Sequence, residues 1–155
     1  MTLAHPPEQL EAARFLRMAM EEAETAAREG NQPYGAVLVD PRGSVVTTGR
    51  NRTAHDHDPS SHAEMNVIRQ ACRESRTLTL EGYRLYTNGA PCTMCAMVII
   101  RTGIAELWYA APPDPERTLP TVEELLKLSG ATAPSVHQGL LADEAGEQLA
   151  RWANG

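Results

Sequence analysis

The chain has 155 residues, 42% of them hydrophobic, and a formal net charge of -6. That length predicts one domain over residues 1–155 with a self-sufficient core, and the odd count of three cysteines excludes a complete disulfide framework. With 14 basic against 20 acidic residues, small molecules are favoured over a polynucleotide held by phosphate contacts.

Residues 8–29, EQLEAARFLRMAMEEAETAARE, space apolar positions at helical period. Leu10, Ala13, Leu16, Ala19 and Ala23 share a face, and Gly30 ends the helix. YGAVLVD then reads as a buried strand, PRGS as a turn and VVTTGR as the hairpin partner. NRTAHDHDPSS is a polar loop. SHAEMNVIRQACRES is a helix with Ser60 or Ser61 as its cap and Ala63, Val67, Ile68 and Ala71 as its apolar stripe. YRLYT is a strand, CTMCAMVIIRT an apolar helix ended by Gly103, and AELWYAA the next strand. PPDPERTLP is a loop, TVEELLKLS a short helix, SVHQG a last strand and ADEAGEQLARWA a terminal helix. This order predicts an α/β domain with helices on both faces of a mixed sheet. No secretory leader is read in the first twenty residues, and no apolar run has membrane length. The expected compartment is a reducing cytoplasm, where paired cysteines bind metal or do chemistry.

Cys92 and Cys95 stand three positions apart at the start of a helix. A C-x-x-C pair alone fits a redox motif, half a metal site or a buried helix start. Of His5, His55, His57, His62 and His137, only His62 also opens a predicted helix. Helix N-termini favour thiolate over thiol. A Cys2His set leaves zinc one open position, whereas a fourth ligand such as His55 or His57 would close it as a structural site. Glu64, two residues beyond His62, is placed to take and return a proton. H-x-E, then 26 residues, then P-C-x-x-C is the established motif of zinc deaminases. A redox pair leaves His62 and Glu64 without a role.

With DPSSHAEMNVIRQAC, LYTNGAPCTMCAMVIIRTGIAELWYAA, PYGAVLVD and GRN, the chain resembles the cytidine deaminase-like superfamily over roughly residues 10–111. The branch is that of guanine, fungal-type cytosine and tRNA adenosine deaminases. The resemblance implies a three-layer α-β-α fold around a mixed, roughly five-stranded sheet. It implies one zinc ion on His62, Cys92 and Cys95, a water at the fourth position, and Glu64 as proton shuttle. It also implies backbone contacts to the reacting centre at Ala63 and Pro91, a base-edge contact from Asn51, and an aromatic pocket wall from Tyr34. A homodimer is implied too, with exchange of C-terminal segments open to it. Two departures stand out: Ala90 replaces an acidic residue before the Pro-Cys pair, and Arg101 replaces an aromatic late in the second zinc helix.

Residues 112–155 form the least family-like segment and are expected to set substrate and dimer contacts. After Arg117 its basic residues are Lys127 and Arg151, against Glu123, Glu124, Asp143, Glu144 and Glu147. That balance favours a small base over a polynucleotide, and the resemblance, since guanine deaminases place acidic pocket residues after WYAAPP, implies a guanine-type base whose N1–H and amine are read by Asp114 or a neighbouring tail carboxylate. Cytosine or isocytosine, a nucleoside, tRNA adenosine and a non-catalytic structural zinc protein are the alternatives. Read alone, Asn51 is a turn residue, Cys72 an apolar filler, Trp108 core, Glu123 and Glu124 a solvated face, and the methionines of CTMCAM packing. Trp152 fits core, interface or pocket lid.

Overall fold

Residues 6–153 are described by a computed structural model of the chain. Helix α1 (Pro7–Arg28) has proline at its first position, where no intrahelical N–H partner is lost. Its buried face is Ala12, Ala13, Phe15, Leu16, Ala19, Ala23, Ala26 and Ala27. Leu10, expected on that face, is exposed, because Phe15 and Ala12 take the place against the sheet. Strands β1 (Gly35–Val39) and β2 (Val45–Arg50) form the predicted hairpin, with a register shift between Leu38 and Val39. Asp40 holds its turn by accepting from the Arg42 and Ser44 N–H groups.

The loop expected over 51–61 contains a short helix, α2 (Thr53–Asp56). Its first N–H groups are satisfied from outside the segment. Asn51 Oδ1 accepts from Thr53 N, and Asn31 Oδ1 accepts from Ala54 N and His55 N. Helix α3 (Ala63–Ser75) follows, then β3 (Arg84–Gly89), α4 (Thr93–Thr102), β4 (Glu106–Ala111), α5 (Val122–Ser129), β5 (Ser135–Gln138) and α6 (Ala142–Ala153). The N-cap of α3 is His62, not a serine. The Ser60 and Ser61 hydroxyls instead bond to the Asp58 and Asp56 carboxylates.

The five strands run in the order β2-β1-β3-β4-β5. β1 is antiparallel to β2 and β3, while β3, β4 and β5 are parallel. Side chains alternate between faces as the pleat requires. Ala36, Leu38, Leu85, Leu107 and Tyr109 meet Val67, Ile68, Ala96, Ile99 and Val122 of α3, α4 and α5. Val37, Val39, Tyr86, Trp108 and Ala110 meet α1 and Ala145 of α6 on the other face. Gly35 is where α1 lies closest to the sheet: a Cβ there would overlap the Ala19 carbonyl.

The topology collects four strand ends along one edge. Gly35 at the start of β1 pairs with Arg50 at the end of β2. Ala36 pairs with Thr87 near the end of β3, and Gly89 with Ala111 at the end of β4. Ligands of open α/β sheets bind beyond the carboxyl ends of parallel strands. The segments following β2, β3 and β4 therefore converge there.

Candidate metal centre and substrate cavity

His62 and Cys92 are the N-cap residues of α3 and α4, with extended backbone at both. Cys95 lies one turn inside α4 and is buried. The Cys92 and Cys95 sulfurs are each 3.5 Å from His62 Nδ1. All three donor atoms lie within 4.8 Å of one another. Tetrahedral zinc with ordinary Zn–S and Zn–N bonds needs an S···N separation of about 3.6 Å. The donor set therefore fits zinc with little rearrangement. Among the described residues, His55 and His57 are outside this group. His55 engages Arg52 and Asp56 instead. His5 lies outside the described residues.

The electrostatics of the three donors are those of a ligand set. Bonds from Cys95 and then His62 bring the Cys92 thiol down to about 4. The same Cys92–Cys95 contact, with burial, pushes Cys95 up. The bond to Cys92 raises His62.

Glu64 is the second residue of α3 and 6% exposed. Desolvation pushes its carboxyl above the usual range. An inner cavity of about 210 Å³ brings Glu64 together with His62, Cys92, Asn51, Tyr34 and Gln32. Asn51 is 1% exposed, and its Oδ1 is taken by Thr53 N and the Thr53 hydroxyl. The amide nitrogen is the group that Asn51 offers a ligand. Ala63 packs into the core behind the site.

An outer cavity of about 390 Å³ adjoins the inner one, and Tyr34, Gly89, Ala90 and Cys92 line both. Pro91 and Asp114 line the outer cavity, not the inner. Asp114 is exposed and accepts from Glu116 N. Burial raises the Tyr34 phenol, and the charges of Glu64 and Asp114 add to the effect. Arg117 in the outer wall pairs with Glu124 at 2.9 Å. The Thr93 hydroxyl, next to Cys92, donates to the Pro120 carbonyl and ties the 112–120 loop to α4.

Several expectations are corrected. Glu123 is not merely solvated, because it accepts from the Tyr109 hydroxyl at 2.7 Å. Met94 and Met97 do not pack inward: they are 37% and 45% exposed on the outer face of α4. Trp108 is core. Trp152 is no pocket lid, since it lines neither cavity and donates to Glu24 on α1. Gln32, Gly89, Thr93 and Leu149 are wall residues that the sequence did not single out. Gln32 sits two positions from Tyr34, which is a usable signal; Leu149 carries none, since only the docking of α6 brings it there.

Residues 10–111 match the family described as the cytidine and deoxycytidylate deaminase zinc-binding region. The tRNA-specific adenosine deaminase of Agrobacterium fabrum is 37% identical over 143 residues, 90% of this chain and 91% of that protein. The tRNA-specific adenosine deaminase of Aquifex aeolicus is 36% identical over 97 residues; the match spans 63% of this chain and 64% of that protein. A solved structure from studies of A-to-I editing by tRNA:A34 deaminases at the wobble position has TM-score 0.77 and 37% identity, covering 88% of this chain and 99% of that one. The guanine deaminase of Nitrosomonas europaea has TM-score 0.79 at 20% identity, covering 100% of this chain and 97% of that one, a likeness of fold alone. With a family match across both zinc helices and a donor triangle of zinc dimensions, the chain belongs to the cytidine and deoxycytidylate deaminase zinc-binding family.

Proposed function

We propose that this protein hydrolytically deaminates an adenine base within tRNA, converting adenosine to inosine and releasing ammonia. The observation that carries this reading is the 37% identity across 90% of the chain to a protein named tRNA-specific adenosine deaminase. It replaces the guanine preference drawn from the acidic tail, because the guanine deaminases of Nitrosomonas europaea and Bacillus subtilis are 20% and 30% identical, the second over 76% of this chain, below the 37% over 90% of the tRNA-specific adenosine deaminase.

The inner cavity of about 210 Å³ is smaller than the roughly 300–1,000 Å³ of drug-sized sites. It suits one extruded ring system, with the rest of the substrate in the outer cavity. Zinc held by His62, Cys92 and Cys95 would supply a Lewis-acidic charge that makes water nucleophilic near neutral pH. Glu64 takes a proton from the attacking water and delivers it to the exocyclic amine. The C–N bond breaks, the ring carbon keeps the oxygen and ammonia leaves. The burial that raises the Glu64 carboxyl suits it to both halves of that transfer. Asn51 Nδ2 donates to an acceptor on the ring edge, Tyr34 walls the ring, and backbone groups at Ala63 and Pro91 border the reacting centre. Residues 112–155 set the substrate and dimer contacts of a 1–155 domain, with Asp114 at the cavity mouth. The functional unit is a homodimer.

A second reading, a free-base deaminase, is favoured by one observation. Arg117 and Arg151, the tail's arginines, already face carboxylates, Glu124 and Glu24. The deciding experiment follows ammonia release and inosine formation by zinc-loaded protein. Its substrates are an anticodon stem-loop with a wobble adenosine, and the free bases guanine, cytosine, isocytosine and adenine. Glu64-dependent inosine in the stem-loop supports the proposal. Ammonia from a free base with a silent stem-loop overturns it.

A further inference from the structure

Asn88 is the fifth residue of β3 and has no exposed surface. Its Oδ1 accepts from Gly35 N at 2.9 Å, and its Nδ2 donates to the Pro33 carbonyl at 2.9 Å. One side chain thus holds the backbone on both sides of Tyr34. Tyr34 itself is tied twice more: its N–H donates to Gln32 O, and its carbonyl accepts from Asn51 N. The next residue, Gly89, completes the hold. A Cβ there would lie 2.9 Å from Tyr34 Cε1 and 3.3 Å from Cδ1, so the phenol ring rests on bare backbone. Tyr34 is, with Gly89, Ala90 and Cys92, a wall shared by the inner and outer cavities.

We infer that Asn88 is a positioning residue: with Gly89 it clamps Tyr34 between the two cavities and so fixes where the reacting ring sits. The inference rests on the deaminase reading of that site. A second arm joins the clamp to the C-terminal helix. Asn88 Nδ2 also reaches Gln148 Oε1 at 3.3 Å, and Gln148 Nε2 donates to Met20 O at 2.7 Å and Glu24 Oε2 at 3.1 Å. Gln148 braces α6 on α1 and touches the clamp from behind, without bonding to the Pro33–Gly35 segment. The two arms therefore separate by mutation.

The test uses zinc-loaded full-length protein with ¹³C-labelled tyrosine rings, the Tyr34 signal being assigned with Tyr34→Phe. Asn88→Ala and the milder Asn88→Ser, which keeps one hydroxyl, are expected to shift and broaden the Tyr34 signal while those of Tyr83, Tyr86 and Tyr109 stay in place. Gln148→Met is expected to lower the melting temperature and leave the Tyr34 signal where it is. An unmoved Tyr34 signal in a folded Asn88 variant overturns the inference, as does a Gln148→Met spectrum matching that of Asn88→Ser.

Kinetics on the stem-loop provide the second arm. Displacing Tyr34 is expected to lower kcat/KM by about ten- to a hundredfold, with zinc content unchanged. Asn88→Ser in a Tyr34→Ala background is expected to add less than about twofold. Fold-losses that multiply in the double variant overturn the clamp. A wild-type protein inactive on the stem-loop overturns the substrate reading, and the tyrosine spectra still decide the clamp.

Discussion

Glu64 and Cys92 enter the same cavity with opposite burdens. Glu64 is buried and its carboxyl is raised by desolvation, whereas the bonds from Cys95 and His62 hold Cys92 as a thiolate. Only the sulfur is in the donor triangle. Glu64→Ala is therefore expected to retain one zinc per chain and lose about 10²–10⁴ in kcat, the usual contribution of a positioned acid–base group. Elemental analysis beside an ammonia assay checks both halves. Cys92→Ala is expected to lose metal and activity together, because two protein ligands do not make a stable zinc site. Metal retained by Cys92→Ala, or lost from Glu64→Ala, would exchange their assignments.

Among the elements, α6 is held by a polar set beside the apolar contacts of Ala145 and Leu149. Ala145 is its one fully buried apolar residue. Gln148 reaches Asn88, Met20 O and Glu24, and Trp152 Nε1 donates to the same Glu24 carboxylate. Leaving a buried donor or acceptor unpaired costs about 1–3 kcal/mol, so these bonds hold the helix as a set. The Trp152 bond, then the Gln148 bond, depress the Glu24 carboxyl below its usual range. A depressed carboxyl stabilises the fold above the unfolded value, near 4.3, and that contribution is lost as pH falls through the folded value. Trp152 fluorescence is accordingly expected to change in acid, from about pH 4 downward, before the core unfolds. In Glu24→Gln that early transition should vanish. A signal that moves only with global unfolding would show that the Glu24 bonds do not secure α6.

For the molecule as a whole, the net charge of -6 and the proposed RNA substrate set opposing demands. Phosphate contacts give a steep salt dependence, each contributing a slope of roughly 0.7 for single strands. With Arg117 and Arg151 already paired to carboxylates, few cations remain in the tail to meet phosphates. The KM for a stem-loop is expected to rise only shallowly between low and moderate salt, with a log–log slope below about 2. A steep slope would locate a phosphate track elsewhere on the surface. Met94 and Met97 of α4 are exposed apolar side chains, and light scattering in solution tests the proposed homodimer.

The chemistry of the centre was legible in the sequence because its residues are local. His62 and Glu64 sit two apart, Cys92 and Cys95 one helical turn apart, and each pair opens a helix. Periodicity also showed the longer helices through stripes such as that of α3, while β1, β3 and β4 are short runs buried on both faces. It misplaced Leu10 because one turn of helix can face solvent while its neighbours face the sheet. It missed α2 because that helix is held by Asn31 and Asn51, not by a pattern of its own. It could not find Asn88, whose partners Gly35 and Gln148 lie 53 and 60 positions away. The sequence alone determined the motif, and with it the metal-ligand set and the proposed proton carrier, because short-range spacing on a helix start is geometry enough. Only the tertiary structure decided the pocket. Its walls come from four strand ends, a tail loop and α6, brought together by sheet pairing across distances that no local spacing encodes.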